Sequence, residues 1–347
     1  MRSRLFAWLV VCLVAIGAAV VSLDFPFAGF AGETFVDIPK GIGTARVARL
    51  LAGAGVIRYR WQFVLARLLK PKRKLQAGEY RFIKAASVWE VFDRMARGDV
   101  FYYTFTVPEG QTVFDIAASL DKLGVISGDA FLHTALDPSL IRDLAPEAPT
   151  LEGYLYPDTY WITRRTTPEE LCRQMTEQFR KNWKQIGDSA PVHATVTLAS
   201  LIEKETALSE ERPIVSSVFH NRLRIGMPLE CDPTAIYAAI LENRYRGTLT
   251  HLDLASKNPY NTYQHAGLPP GPIANPGMDS LRAALNPAKT NYLYFVAKPD
   301  GSGAHQFSTK LEKHRDAVFR YRRANHKTNQ AGGTARLSRH SPPSTNH

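Results

Sequence analysis

Val36-Asp37-Ile38-Pro39-Lys40-Gly41 and, 69 residues further on, Phe105-Thr106-Val107-Pro108-Glu109-Gly110 open two stretches built to one pattern. Each reads as a short strand, a Pro-x-Gly turn, and then a helix whose apolar positions recur near a period of about 3.6 residues. Those positions are Val47, Leu50 and Leu51 in the first copy and Ile116, Leu120 and Leu123 in the second. Both helices end at the same offset, at Gly55 and Gly124, where glycine closes the last turn. Between the copies, 61–69 reads as helix and 78–82 as strand, and Ser87 followed by Glu90 has the capping-box spacing for a helix reaching Arg97. The pattern predicts an α+β fold, with a small compact domain over 33–103 and a larger α+β domain over 104–323.

Upstream of the first copy, Arg2 and Arg4 precede 5–23, 19 residues without a charge. As a helix that stretch is roughly 28 Å long, enough to cross a bilayer. Positive residues ahead of it favour a cytoplasmic N-terminus over 1–4, with everything after Asp24 outside the inner membrane of a bacterium. A cleaved signal peptide is the alternative, but its apolar core is normally shorter and no clear small-x-small site precedes Asp24. Downstream, 324–347 is rich in Ser, Thr, Asn, Gly and Pro and is expected to be disordered.

With 45% hydrophobic residues the chain can bury sizeable cores, which rules out wholesale disorder. Lysine and arginine (43) outnumber aspartate and glutamate (32), giving a net charge of +11 that favours anionic partners. Outside the cytoplasm those partners are headgroups or an acidic polymer rather than nucleic acid. Seven basic residues between Arg58 and Lys74 either solvate a helix face or meet such a surface. Cys12, Cys172 and Cys231 show no metal-ligand spacing, so no structural metal is expected; whether Cys172 and Cys231 pair depends on their distance. Gly53-x-Gly55 and Gly301-x-Gly303 are too short for a dinucleotide fingerprint, and no nucleotide cofactor is assigned.

The chemistry concentrates between 151 and 323. Thr195-Val-Thr-Leu-Ala-Ser-Leu-Ile-Glu203-Lys-Glu205-Thr-Ala-Leu208 is a helix candidate, apolar or small on nearly every side up to Ile202, and so expected to be buried. Such a helix must accommodate a carboxylate, either by raising its pKa, as a general acid requires, or by pairing it with Lys204, Arg212 or Arg222. Periodicity does not choose between Glu203 and Glu205. Pro213 opens a second helix that stops near Gly226; its His220 and Asn221 read as satisfied polar residues. The segments around Asp232, Asn261-Thr262-Tyr263 and 267–277 are dense in Gly, Pro and Asn, which suits rigid loops that present rings and amides to a sugar. In Glu152-Gly-Tyr154-Leu-Tyr156-Pro-Asp158-Thr-Tyr160, Tyr154 and Tyr156 would share one face if the segment is extended.

These strings, Leu198-Ala-Ser-Leu-Ile-Glu203-Lys-Glu205-Thr, Ser217-Val-Phe-His-Asn-Arg-Leu-Arg, Asp232-Pro-Thr, Tyr260-Asn-Thr-Tyr and Gly267-Leu-Pro-Pro-Gly-Pro-Ile, resemble the endolytic murein transglycosylase family, also called YceG-like. The likeness runs from the N-terminal anchor to about Arg323. It implies an inner-membrane lyase without cofactor that cuts nascent peptidoglycan between N-acetylmuramic acid and N-acetylglucosamine, leaves a 1,6-anhydromuramic end and so terminates strand elongation near the peptidoglycan synthases. The resemblance further implies a LysM-like glycan-binding segment over 33–103 and makes Glu203 the catalytic acid/base. Asn261, Thr262, Tyr263 and Asp232, with Tyr156 and Asp158, are the candidate substrate-binding residues. A hydrolase would need a second carboxyl, for which Asp232 or Asp158 is available. A non-catalytic glycan-binding scaffold, with Glu203 merely ion-paired, is the reading from another class.

Overall fold

The computed structural model describes residues 2–186 and 190–337, the side chains of 2, 3, 5 and 325–337 excepted. The chain forms two compact units, Met1–Thr104 with Trp161–Thr163, and Phe105–Tyr160 with Arg164–His347.

The first unit opens with α1 (Arg2–Val21), whose Phe6, Trp8, Leu13 and Ile16 are exposed. Among the described residues no helix is long and apolar enough to cross a membrane; the side chains at 1–3 and 5 fall outside that count. Then follow β1 (Thr34–Ile38), α2 (Thr44–Gly53), α3 (Arg60–Leu69), β2 (Gly78–Phe82) and α4 (Val88–Arg97). β1 and β2 are antiparallel, with Val36 opposite Tyr80. Their inward residues Val36, Ile38, Tyr80 and Phe82 pack with Val47 and Leu51 of α2, Phe63 of α3 and Phe92 of α4. Leu23, just past α1, is fully buried in the same core. The capping box forms: Ser87 Oγ accepts from the Glu90 amide, and Glu90 Oε2 accepts from the Ser87 amide at 2.7 Å.

The second unit takes the latter half of β3 (Tyr103–Thr106 in full) and contains α5 (Val113–Leu123) and α6 (Gly128–Ala135). β3 pairs with β4 (Thr159–Ile162), the Thr106 and Thr159 hydroxyls lying 2.9 Å apart. The repeat seen in the sequence is real as local structure. Gly41 and Gly110 both adopt positive φ in the turn, and Gly55 and Gly124, each at φ +70°, both end a helix. The two copies nevertheless pair with different strands.

Helices fill the rest: α7 (Pro168–Ile186), α8 (Val192–Glu205), α9 (Arg212–Arg224), α10 (Asp232–Leu241), the short α11 (His251–Leu254) and α12 (Met278–Leu285). A hairpin of β5 (Tyr294–Ala297) and β6 (His305–Ser308) precedes α13 (Leu311–Leu337). α8 is the central helix, buried from Thr195 to Ile202 and packed by α9, α10 and α12. Where composition led us to expect disorder from 324, the backbone is helical to Leu337; residues 338–347 lie outside the described residues.

The segment through Tyr154 and Tyr156, which would have put both rings on one face had it been extended, is instead a turn. Gly153 has φ +87°, and a Cβ there would come within 2.5 Å of Pro272, so only glycine lets the chain bend at this close approach. Tyr154 is therefore buried, its hydroxyl 2.9 Å from His193 Nδ1, while Tyr156 is only partly covered.

Candidate active site

α8 ends by placing its two glutamates in different surroundings. The side chain of Glu203 is only 6% exposed. It accepts from Arg212 Nη2 at 3.0 Å through Oε1 and from the Gly277 amide at 3.0 Å through Oε2. Arg212 also reaches Glu109 at 3.5 Å and Asp279 at 3.9 Å. Burial, and then the charge of Glu203, push the Glu109 carboxyl up. This is the ion-paired alternative, realised through Arg212, and Glu203 is absent from the lining of the neighbouring cleft.

Glu205, two residues on, lines that cleft, a polar cavity of about 280 Å³. Its Oε1 accepts from the buried Cys231 thiol at 2.9 Å. Desolvation raises the Glu205 pKa, opposed by the Cys231 hydrogen bond; the Asp232 charge adds to the rise, while His305 and Arg222 act against it. The thiol itself is pushed well up by burial and by Glu205, so it stays a donor. A carboxyl that is desolvated and bonded to a neutral donor holds its proton to higher pH than an exposed glutamate, as proton donation near neutrality requires.

Each neighbouring element contributes to the wall. From α9, Arg222 is held by Leu293 O at 2.7 Å and Leu229 O at 2.8 Å, and lies 3.4 Å from Glu230. Glu230 sits at φ +47°, a strained conformation for a non-glycine residue, immediately before Cys231. Asp232 starts α10 and accepts from the Tyr263 hydroxyl at 2.6 Å; that contact, after burial, raises the tyrosine pKa. Phe295 and Ala297 of β5, His305 of β6 and His314 of α13 complete the cleft. Burial and the Arg222 charge lower the His314 pKa.

Of the candidates read from the sequence, Asp232 and Tyr263 line the cleft. Asn261 and Thr262 stand behind it as loop fasteners. Asn261 Nδ2 donates to Leu254 O at 3.1 Å and Ser256 O at 2.7 Å, and Thr262 Oγ1 accepts from the Cys231 amide at 3.1 Å. Asp158 lies elsewhere, bonded to Gln178 at 2.9 Å, and Tyr156 carries the Tyr160 hydroxyl on its carbonyl. His220 and Asn221 are satisfied by backbone carbonyls, as expected. Sequence reasoning passed over Arg222 as a wall residue, and Glu230, His305 and His314 altogether. Only the positive φ of Glu230 distinguishes it locally, and no local pattern marks a hairpin histidine as facing α8. Cys12, Cys172 and Cys231 are free.

Residues 36–320 match the YceG-like family. The chain is 33% identical over 309 residues to the endolytic murein transglycosylase of Bacillus subtilis, covering 82% of this chain and 84% of that one. It is 30% identical to the endolytic murein transglycosylase of Streptococcus pneumoniae, covering 76% of this chain but spanning only 54% of the relative. A crystal structure of a YceG-like protein from Listeria monocytogenes superposes with a TM-score of 0.53 at 31% identity, over 82% of this chain and 99% of that one. Matched over most of its length by sequence and by fold alike, the chain belongs to the YceG-like family.

Proposed function

We propose that this protein is an endolytic lytic transglycosylase that cuts nascent peptidoglycan between N-acetylmuramic acid and N-acetylglucosamine and leaves a 1,6-anhydromuramic end. The observation that carries the reading is Glu205, a desolvated carboxyl in a polar cleft, bonded to a thiol rather than to a cation. The names of the Bacillus and Streptococcus relatives support the reaction class. The acid is Glu205 and not Glu203, the residue to which the motif resemblance pointed, because Glu203 is committed to Arg212 and the Gly277 amide. Glu205 gives its proton to the glycosidic oxygen, the muramic C6 hydroxyl closes on C1, and no enzyme nucleophile is needed. The Tyr263–Asp232 pair and Arg222 are placed to orient sugar hydroxyls.

The uncharged run 5–23 supports an inner-membrane anchor with both units on the outer side. The strand–helix–helix–strand order of the first unit supports a LysM-like glycan-binding role, with Pro39, Gly43, Lys74 and Ala77 lining a groove of about 330 Å³. Peptidoglycan synthases are the expected neighbours of such an enzyme.

Asp232 in the same cleft favours a second reading, a two-carboxyl hydrolase of the same polymer. The test uses full-length protein in detergent with uncrosslinked glycan strands, the products being read by mass spectrometry. Anhydromuramic ends that vanish in folded Glu205→Gln are expected. Reducing ends would establish the hydrolase, full activity in folded Glu205→Gln would reject Glu205 as the acid, and no product from the parent protein would leave a glycan-binding scaffold.

A further inference from the structure

Closure of the anhydro ring releases the proton of the C6 hydroxyl, and the cleft holds a second group built to receive it. We propose that His305, oriented by Glu211, takes that proton while Glu205 delivers its own to the leaving oxygen. The inference rests on the transglycosylase reading above.

His305 stands at the start of β6 and lines the cleft that Glu205 lines. Its Nδ1 lies 2.7 Å from Glu211 Oε2, and its backbone amide donates to Glu211 Oε1 at 2.8 Å. Both side chains are about one-tenth exposed, at 11% and 10%. The Phe295 ring stands perpendicular to the imidazole at 5.4 Å, which restricts its rotation. An ionised carboxylate only accepts, so Glu211 holds a hydrogen on Nδ1 and leaves Nε2 as the acceptor atom. Among the described residues no hydrogen-bond partner occupies Nε2. A base fixed in one tautomer by a buried carboxylate, beside an acid, is the arrangement that general-base catalysis requires.

The step balances. The C1–O6 bond forms as the bond from C1 to the N-acetylglucosamine O4 breaks; Glu205 protonates O4 and becomes a carboxylate, and His305 Nε2 receives the O6 proton and becomes an imidazolium. The two new charges lie within electrostatic reach of each other, since the His305 charge favours ionised Glu205. Glu211 faces the imidazole from the start of α9. The other charged or titratable groups of the cleft are Arg222, Glu230, Asp232, Tyr263 and His314.

Full-length protein in detergent is assayed for anhydromuramic ends across pH. His305→Gln and His305→Ala are expected to lose roughly 10²–10⁴-fold in kcat, to lose the acid limb of the pH profile, and to keep the alkaline limb set by Glu205. Added imidazole is expected to restore part of the rate to His305→Ala, which a merely structural histidine would not permit. In Glu211→Gln the amide can donate to Nδ1, moving the hydrogen to Nε2; ¹⁵N shifts of the histidine should report the changed tautomer alongside a similar loss. A His305→Gln enzyme within threefold of the parent with an unchanged pH profile overturns the proposal, as does a parent protein carrying its hydrogen on Nε2. Undiminished activity in Glu205→Gln would instead overturn the assignment of Glu205 as the acid, and reducing ends would overturn the transglycosylase reading itself.

Discussion

Two glutamates separated by one lysine divide the work at the end of α8. Glu203 neutralises the buried Arg212, and breaking such a pair costs about 3 kcal/mol because the partner keeps its charge without water. Glu203→Gln is therefore expected to lower thermal stability by about that amount while kcat stays within a few-fold, as calorimetry and product assay would show. Glu205 has the opposite environment. Its pKa is raised, so the proton-donating form persists above the ordinary glutamate range, and the alkaline limb of the kcat/KM profile should lie higher than an exposed glutamate would place it. Cys231→Ala removes the donor that favours the carboxylate and should move that limb higher still, whereas Cys231→Ser should restore it.

At the scale of elements, the second unit is tied together by side chains rather than by a large sheet. Asn275 accepts from the Gly153 and Leu155 amides at 2.9 and 3.0 Å through one oxygen, and donates to Gln111 O and Glu152 Oε1, both at 2.9 Å. This one buried amide clamps the turn that precedes β4 to the turn that precedes α5. Asn275→Ala would orphan the Gly153 and Leu155 amide donors and the Gln111 and Glu152 acceptors, and urea unfolding is expected to show a loss of about 3 kcal/mol. The elements themselves were readable: the capping box at Ser87, the Gly55 and Gly124 stops and the buried run of α8 all depend on neighbours within four residues. The turn at Gly153 was not readable, because it depends on Pro272 lying 119 positions away.

Across the whole molecule, pH enters stability through Glu152. Burial raises its pKa to about 8, against 4.5 when free, although the Val113 amide and the Tyr237 hydroxyl pull the other way. The folded state thus keeps a proton that the unfolded chain gives up near 4.5, so unfolding releases a proton throughout that window. Stability contributed by this group is full below the unfolded value and falls, by a few kcal/mol, as pH rises toward 8. Denaturant unfolding at several pH values should show the decline, and Glu152→Gln should flatten it. The anchor proposed for the uncharged run 5–23 has its own test. Leu23 belongs to the core of the first unit, so deletion of 1–20, rather than of the whole uncharged run, should release folded protein from the membrane fraction.

Local sequence determined the α+β class, nearly every helix and strand of the first unit, the burial of α8 and the family, because capping, periodicity and motif order are properties of neighbouring residues. Tertiary structure alone decided which glutamate meets the cleft. Glu203 and Glu205 carry the same charge on the same helix end, and their difference comes from what packs there: Arg212 and Gly277 against one, Cys231, Asp232 and the hairpin bearing His305 against the other. Desolvation and pairing are set by groups distant along the chain, so no window of sequence contains them.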